Sequence, residues 1–188
     1  MRDVMVDIET FGTSSRAAIA SIGAVAFDRD VVGTFDSEMF KVGVSLPSAI
    51  KGGGEVDART IEWWFGQPAA QKAWLGLKHE PITVALEMLR VWFKQVKGEL
   101  VWANGSNFDL PILDSAYRAH GTKSPWHYRA VRDMRTLGDI AEVGEAEWRK
   151  GAEVAQQYAA VEHDPLFDAV EQAVVVQMAF AKRRAAVK

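Results

Sequence analysis

A chain of 188 residues is long enough to bury one substantial hydrophobic core, and nothing in its composition marks a second one. Hydrophobic residues make up 48% and charged residues 25%, the balance expected of a soluble globular protein. The chain has no cysteine, which excludes disulfides and thiolate-bound zinc. Its formal net charge of −3 argues against broad electrostatic binding to a nucleic-acid duplex.

The order of the predicted elements is that of an α/β protein. Runs of β-branched and aromatic residues predict five strands, at residues 4–9, 18–27, 31–42, 100–103 and 128–133. Apolar periodicity and end signals predict helices at residues 58–65, 82–96, 108–120, 136–143, 145–150 and 165–184. Residues 45–57 contain a proline and three consecutive glycines, which predicts a flexible loop.

The sequence contains no recognisable targeting signal or membrane-spanning segment. No apolar run approaches the length of a membrane span, and no signal-peptide pattern opens the sequence. We therefore expect a cytoplasmic protein with no membrane partner, folded as a single domain over residues 1–188.

Two acidic side chains end the first predicted strand. Asp7 and Glu9 are separated by one residue, so they point to the same face of the strand. Carboxylates held side by side repel each other, and one normally stays protonated unless a cation lies between them. The pair therefore indicates a divalent metal site with oxygen ligands, although a solvated strand end produces the same short motif.

The second acidic patch is a single residue, Asp109, at the start of the helix predicted after residue 103. Asp109 falls in the first helical turn, where the helix dipole already favours a negative charge. With Ser106 as N-cap, Asp109 would complete a pair similar to a capping box, which is its purely local interpretation.

The third patch precedes the last predicted helix. Asp164 and Pro165 form a good N-cap and first-position pair for that helix. His163 then lies on the loop just before the helix, and Asp168 lies in its first turn. Taken alone, this patch also has a local interpretation, as a capped and solvated helix start.

Together the three patches resemble the exonuclease motifs of the DEDDh family, the group of RNase T, polymerase proofreading subunits and oligoribonuclease. The motifs Asp-Ile-Glu-Thr at 7–10, Asn-Phe-Asp at 107–109, and His163 followed five residues later by Asp168 match in order and spacing. Residues 60–67, 102–109 and 132–137 are similar to the small stand-alone branch of bacteria and phages, which includes phage exonuclease A and a mycobacterial exoribonuclease. Many relatives have small residues where this chain has Asp164 and Pro165.

The resemblance implies a ribonuclease H-like exonuclease fold, with a mixed five-stranded sheet and helices on both faces. It also implies phosphodiester hydrolysis from the 3′ end of single-stranded nucleic acid, releasing nucleoside 5′-monophosphates by a two-metal-ion mechanism. Two Mg²⁺ or Mn²⁺ ions would be held by Asp7, Glu9, Asp109 and Asp168, and Mg²⁺ suits such hard oxygen ligands. His163 would act as the general base.

The resemblance also suggests substrate contacts. Thr10, Phe11 and Gly12 follow the first acidic pair and would cradle the terminal nucleotide, with Phe11 packing a base. Trp63, Trp64 and Phe108 are the aromatic candidates for base stacking, and Trp64 and Phe108 are the ones we select. A homodimer is a candidate assembly, with residues 63–65 as its interface.

Other activities share parts of this pattern. No residue identifies a reader of the 2′-hydroxyl, so an exoribonuclease is the main alternative, and DNA is only slightly favoured over RNA. An inactive single-strand-binding module would be expected to lack one of the acids, and none is missing. An endonuclease of the same fold and a polymerase proofreading subunit are less favoured, the first because of the spacing between His163 and Asp168.

Overall fold

The computed structural model describes residues 2–186, without the side chains of residues 36–38, and the described part contains one six-stranded mixed sheet. Positions 1, 187 and 188 of the predicted domain lie outside the described residues. The strands are β1 (Asp3–Thr10), β2 (Ile19–Phe27), β3 (Phe35–Val44), β4 (His79–Glu80), β5 (Leu100–Ala103) and β6 (Val131–Asp133). Their order across the sheet is β4-β3-β2-β1-β5-β6.

Strands β1, β2 and β3 are antiparallel neighbours, whereas β5 runs parallel to β1, and β6 runs parallel to β5. The carboxyl ends of β1 and β5 therefore meet at one edge of the sheet. The prediction of five strands was wrong by one. β4 has two residues and pairs only with Gly43 and Val44, so it is too short to produce an alternating pattern in the sequence.

Eight α-helices surround the sheet within residues 2–186. They are α1 (Leu46–Lys51), α2 (Ala58–Phe65), α3 (Pro68–Leu75), α4 (Ile82–Gln95), α5 (Asp109–Ala119), α6 (Met134–Ile140), α7 (Glu145–Ala155) and α8 (Pro165–Ala185). None of the helices in this part of the chain combines the length and apolar character that crossing a membrane requires.

Side-chain alternation along β1 divides the core into two layers. Val4, Val6 and Ile8 pack with α4 and α5 on one face of the sheet. Met5 packs with α7 and α8 on the other face. Helices therefore cover both faces, as predicted. Asp7 has the same parity as Met5, so it points towards the side covered by α8.

Several predicted boundaries were wrong, each for a local reason. The predicted loop at 45–57 contains α1, because Pro47 lies in the first turn, where a missing backbone N–H is tolerated. Helix α3 was not predicted; it likewise begins with a proline. Strand β3 begins at Phe35 rather than Val31, because residues 28–33 form a turn whose backbone is bound by the Gln177 side chain.

Two other elements also begin elsewhere than predicted. The strand predicted at 128–133 begins with a 3₁₀ turn, Tyr128–Ala130, in which the His127 ring accepts a hydrogen bond from the Arg129 amide. Helix α6 begins at Met134 and ends at Ile140, whereas a helix over 136–143 was predicted. Asp133 is its N-cap and accepts a hydrogen bond from the Thr136 amide at 2.8 Å.

The start of α8 lies directly on β2. A Cβ atom at Gly23 would come within 2.2 Å of the Pro165 carbonyl carbon and oxygen, so only glycine allows this approach. Gly23 is the register partner of Asp7 on β1. The absence of a side chain at Gly23 therefore sets the distance between the beginning of α8 and the acidic end of β1.

Replacing Gly23 by alanine should push α8 away from the sheet. We expect Gly23→Ala to lower the free energy of unfolding by about 1–3 kcal/mol, the usual effect of overpacking a core. The melting temperature should fall by roughly 2–4 °C for each kcal/mol. Gly138→Ala is the matched control, since its Cβ would meet nothing closer than Val143 at 3.8 Å. A melting temperature of Gly23→Ala equal to that of the wild type would contradict this account of the contact.

Candidate active site

A cleft of about 470 Å³ opens where β1 and β5 end and α8 begins. Its walls carry all five residues predicted to be catalytic. They also include a second set of polar side chains that the sequence did not single out. The lining comprises Asp7, Ile8, Glu9, Asn104, Phe108, Asp109, Arg135, Glu162, His163, Asp168, Glu171 and Gln172.

The first acidic pair reaches the cleft from β1. Asp7 and Glu9 lie on the same face of the strand, as their spacing predicted. The Asp7 Oδ1 atom accepts a hydrogen bond of 2.9 Å from the side-chain amide of Gln172 on α8. This bond fixes one oxygen of Asp7 and connects the end of β1 to α8. Gln172 is four residues after Asp168, so both lie on one face of the helix.

Asp109 is the first residue of α5 and is buried. Its Oδ1 atom accepts a hydrogen bond of 3.2 Å from the Ile8 backbone amide, which links α5 to β1. The capping interpretation was wrong. The N-cap position is Phe108, and the Ser106 amide donates instead to Asp133 Oδ2 at 2.6 Å. Asp109 therefore does not belong to a capping box, although it does lie in the first turn of α5, as predicted.

The third patch has the predicted helix start. Asp164 is the N-cap of α8, and its Oδ1 atom accepts a hydrogen bond of 3.0 Å from the Leu166 amide. His163 has a backbone φ of 61°, in the left-handed region. For a residue with a side chain this conformation costs roughly 1–2 kcal/mol. The His163 amide donates to Asp168 Oδ2 at 3.2 Å, which ties the strained residue to the first turn of α8.

Without a cation, the four carboxyl groups predicted to bind metal have raised pKa values. Burial, followed by the charges of Asp168 and Asp109, raises the pKa of Glu9 to about 9. Burial and then the charge of Asp109 raise the pKa of Asp7 well above its ordinary range. Burial also raises the pKa of Asp109 to about 7 and that of Asp168 to about 7. Assembling these groups disfavours their charged forms, which a bound cation would reverse.

Among the described residues, two carboxylates and a histidine lie close enough together to hold a divalent cation. One potential ligand atom from each of Glu9, His163 and Asp168 lies within 4.8 Å of the others. The Gln172 Oε1 atom is buried and has no hydrogen-bond partner among the described residues, so it can accept from a water molecule on a hydrated ion. Carboxylate, amide and water oxygens are the donor set that Mg²⁺ and Mn²⁺ prefer.

The raised pKa of Glu9 predicts how the metal-free protein responds to pH. Unfolded Glu9 releases its proton near the ordinary value of about 4.3, whereas the folded protein retains it up to about 9. Over this range the folded state binds more protons, so its stability decreases as pH rises. We expect the melting temperature of the metal-free protein to fall between pH 6 and 9, and Mg²⁺ to raise it more at pH 9.

Glu9→Gln is the matched variant for this experiment, because glutamine has no proton to lose. Its melting temperature should depend less on pH, and it should gain less from Mg²⁺ at high pH. A melting temperature of the metal-free wild type that stays constant from pH 6 to 9 would show that Glu9 is not held in a charge-disfavouring environment.

A second cleft, of about 490 Å³, shares the Ile8, Glu9 and Phe108 wall with the first. The two clefts therefore form one groove across the carboxyl end of β1. The lining of the second cleft is Ile8, Glu9, Thr10, Gly12, Thr13, Asp57, Arg59, Thr60, Trp63 and Phe108. Of the five predicted substrate contacts, Thr10, Gly12 and Phe108 lie on this groove.

The structure corrects the other two. Phe11 is 5% exposed, and its ring packs against Trp64 and Trp74, with centroid distances of 5.5 and 5.2 Å. Trp64 is 3% exposed, and its indole N–H donates to the Thr10 carbonyl at 2.9 Å. Both side chains belong to the core beneath the groove, so neither offers a ring face to a base. They support the loop that bears Thr10 and Gly12.

Trp63 takes the place that was predicted for Trp64. It is 41% exposed and lies on the groove, with its ring edge-to-face with His163 at a centroid distance of 4.9 Å. Of the predicted dimer patch, only Trp63 and Phe65 are exposed.

The sequence did not single out Gln172 or Arg135. Among the described residues that line the first cleft, Arg135 is the single arginine or lysine. Its Nε donates to Asn104 Oδ1 at 3.3 Å. A Cβ atom at Gly105 would meet the guanidinium carbon at 2.9 Å, so this glycine leaves room for the arginine. The spacing of four residues between Asp168 and Gln172 was the one available signal for Gln172.

Known nucleases are similar to this chain in sequence. A family model described as a 3'-5' exoribonuclease Rv2179c-like domain matches residues 2–180. An exodeoxyribonuclease of Enterobacteria phage T4 is 29% identical over 154 residues, and the match covers 76% of this chain. The chain spans 61% of the length of this curated relative.

Solved structures share the fold at low sequence identity. The nuclease domain of 3'hExo, a DEDDh family member bound to rAMP, has a TM-score of 0.58 at 12% identity, covering 96% of this chain and 92% of that one. S. pombe Pop2p, in a form with Mg²⁺ and Mn²⁺ bound, has a TM-score of 0.53 at 15% identity, covering 97% and 82%. These similarities confirm the predicted fold class.

Proposed function

The chain belongs to the Rv2179c-like family of 3'-5' exoribonuclease domains, and on this premise we propose that it removes nucleotides from the 3′ end of single-stranded nucleic acid. Membership confirms the resemblance to the DEDDh 3'-5' exonucleases. The observation that carries the proposal is the convergence of three distant sequence patches on one cleft, Asp7 with Glu9, Asp109, and His163 with Asp168. The product of each step is a nucleoside 5′-monophosphate, and residues 1–188 act as one catalytic domain.

In this proposal, two divalent cations, Mg²⁺ or Mn²⁺, would be held by the carboxylates of Asp7, Glu9, Asp109 and Asp168. When bound, such ions stabilise charge on the phosphoryl oxygens and lower the pKa of a coordinated water molecule. Asp7 is oriented by Gln172, and Asp109 is oriented by the Ile8 amide. Oriented carboxylates lose little freedom when a ligand binds, which favours a defined geometry for hydrolysis.

His163 is the proposed general base. A ring nitrogen would take the proton of the attacking water as the water oxygen bonds to phosphorus. The bond from phosphorus to the 3′ oxygen of the preceding nucleotide would break, and that oxygen would take a proton from solvent. A histidine suits such a proton transfer near neutral pH. The ring is on the cleft, and its edge-to-face contact with Trp63 restricts its orientation. The hydrogen bond from the His163 amide to Asp168 keeps the base next to a proposed metal ligand.

The aromatic lining of the groove favours a single-stranded nucleic acid over a duplex as the substrate. The groove lining includes Thr10 and Gly12 on the loop after β1 and the aromatic side chains of Trp63 and Phe108. Aromatic side chains stack on any base, and each stacked base contributes about 1–3 kcal/mol. We propose that Trp63 and Phe108 contact the terminal base and that Thr10 and Gly12 contact its sugar. Arg59, exposed on the same groove, is available for the backbone phosphate.

Arg135 is proposed to contact the scissile phosphate, because it is the single cationic side chain described on a strongly acidic cleft. We expect Arg135→Ala to raise KM about tenfold, since losing a charge-assisted hydrogen bond removes roughly 1.5 kcal/mol or more. Steady-state kinetics on a short oligonucleotide measure this change. Arg118→Ala, which removes an exposed ion pair with Asp114 on α5, is the control. An unchanged KM for Arg135→Ala would remove Arg135 from the substrate site.

The proposal also concerns whether the substrate is DNA or RNA. The family model is described by exoribonuclease activity, and the phage relative is named an exodeoxyribonuclease. We keep single-stranded DNA as slightly favoured and a 3'-5' exoribonuclease as the alternative. The test uses 5′-labelled DNA and RNA oligonucleotides of one sequence, with Mg²⁺, Mn²⁺ or EDTA.

A metal-dependent ladder that shortens from the 3′ end is the expected result, and the faster ladder identifies the preferred sugar. Intact oligonucleotides under every metal condition, with binding still measurable, would instead support a single-strand-binding module. Internal cleavage products would contradict the exonuclease and support an endonuclease.

A further inference from the structure

The backbone of His163 is held in a conformation that its side chain does not favour. Its φ of 61° lies in the left-handed region, immediately before the first turn of α8. A strained residue of this kind persists only when its surroundings fix it. The residues that fix His163 therefore also determine where its ring lies on the cleft.

The next residue, Asp164, has two separate partners for its carboxylate. Oδ1 accepts the hydrogen bond from the Leu166 amide that caps α8. Oδ2 accepts from Lys41 Nζ on β3 at 2.8 Å. The Asp164 side chain is 6% exposed and that of Lys41 is 27% exposed. Capping needs only one oxygen, so the ion pair is an additional connection from the sheet to the loop that bears His163.

Sheet register places Lys41 where it can make this connection. Lys41 on β3 is directly opposite Gly23 on β2, and Gly23 is directly opposite Asp7 on β1. Directly paired residues point to the same face of a sheet. Lys41, Gly23 and Asp7 therefore form a row beneath the start of α8. Pro165 lies on the bare backbone of Gly23, and Asp164 lies within reach of the lysine.

We propose that Lys41 is a positioning residue for His163, acting through its ion pair with Asp164. This inference rests on the proposed role of His163 as general base. The ion pair joins β3 to the loop, while the His163 amide joins the same loop to Asp168. These two connections hold the loop in place relative to the carboxylates of β1. Lys41 itself does not line the cleft and does not contact the reacting atoms.

The test measures kcat and KM on a 5′-labelled oligonucleotide at saturating Mg²⁺. We expect Lys41→Met to lower kcat about tenfold, the lower end of the effect of losing a residue that supports an active-site group. KM should change by less than about twofold, because substrate contacts are retained. Lys41→Arg keeps the ion pair and should restore most of kcat. Lys78→Met, which breaks an exposed ion pair with Glu80 on the same sheet, is the matched control.

A double-mutant cycle with His163→Ala separates positioning from general stability. If Lys41 acts through His163, adding Lys41→Met to His163→Ala should cause no further loss of kcat. A further tenfold loss in that background would overturn the proposal, and so would wild-type kcat for Lys41→Met. Should Lys41→Met fail to fold, the paired variant Lys41→Met with Asp164→Asn removes both charges and retains an N-cap, and the same outcomes apply to it.

Failure of this proposal can be told apart from failure of the proposed function. Wild-type protein that leaves every oligonucleotide intact would contradict the exonuclease itself. Wild-type activity of His163→Ala would contradict the general base, and with it the positioning role of Lys41, but not the exonuclease. A third outcome is loss of activity in His163→Ala together with wild-type kcat in Lys41→Met. It would leave the exonuclease and the general base intact and would reject only the positioning role of Lys41.

Discussion

Asp7→Asn is expected to lower kcat by about 10³-fold or more, because a metal ligand contributes several kcal/mol to stabilising the transition state. Asp7 lines the cleft, and its pKa is raised by burial and then by the charges of Asp109 and Asp168. Asparagine keeps the size of the side chain and one oxygen that can accept from Gln172. The change therefore removes a charge while retaining the position of the side chain.

Stability should change in the opposite direction to activity. Removing Asp7's charge relieves repulsion among buried carboxylates, so metal-free Asp7→Asn should melt at a higher temperature than the metal-free wild type. Mg²⁺ should then raise its melting temperature less than that of the wild type, since a ligand is missing. Single-turnover hydrolysis and thermal denaturation with and without Mg²⁺ measure both effects.

Asp114→Asn is the control for Asp7→Asn, because Asp114 pairs with Arg118 on the exposed side of α5. It should leave hydrolysis and the response to Mg²⁺ unchanged. Hydrolysis within tenfold of the wild type in Asp7→Asn would contradict a metal site built on this carboxylate. Loss of activity with an unchanged response to Mg²⁺ would move the role of Asp7 from metal binding to substrate binding.

The acidic residues could be located from the sequence because local rules decide their orientation. Alternation along a strand is enough to put Asp7 and Glu9 on one face, and an N-cap followed by proline is enough to begin α8 at Pro165. The order and spacing of the motifs then identified a family whose model matches residues 2–180. The resemblance, rather than periodicity, predicted that the three patches would meet.

What the sequence did not predict depends on packing between distant elements. Trp63 and Trp64 are adjacent on α2, and which of them is buried depends on how that helix lies against β1. The Trp64 indole bonds to the Thr10 carbonyl, which leaves Trp63 on the groove. Gln172 contacts Asp7 across 165 positions of sequence, and no local pattern indicates such a contact. The same is true of Lys41 and Asp164.

Replacing His163 should separate the two roles that its position permits. The structure puts a His163 ring nitrogen close enough to Glu9 and Asp168 for all three to share an ion, whereas the family resemblance assigns the histidine to proton transfer. A general base contributes typically about 10²–10⁴-fold to the rate. A ligand would contribute to metal affinity as well.

We expect His163→Ala to lower kcat by about 10²–10⁴-fold while KM and Mn²⁺ affinity stay close to wild type. His163→Asn should give the same result and is the better-folded variant, because asparagine tolerates the left-handed backbone that residue 163 adopts. Rapid-quench kinetics and calorimetric Mn²⁺ titration measure the two quantities. His120→Asn is the control, since His120 follows α5 and lies beside Gly52.

The pattern of losses then identifies the role of His163. Reduced kcat with unchanged Mn²⁺ affinity in both variants supports proton transfer by the ring. A parallel loss of Mn²⁺ affinity would make His163 a metal ligand, and the attacking water would then need another base. Among the acids near the ring, Glu162 and Glu171 line the cleft without a proposed place in the metal site. Burial, followed by the charge of Glu162, raises the pKa of Glu171 to about 7, so Glu171 is the group to replace next.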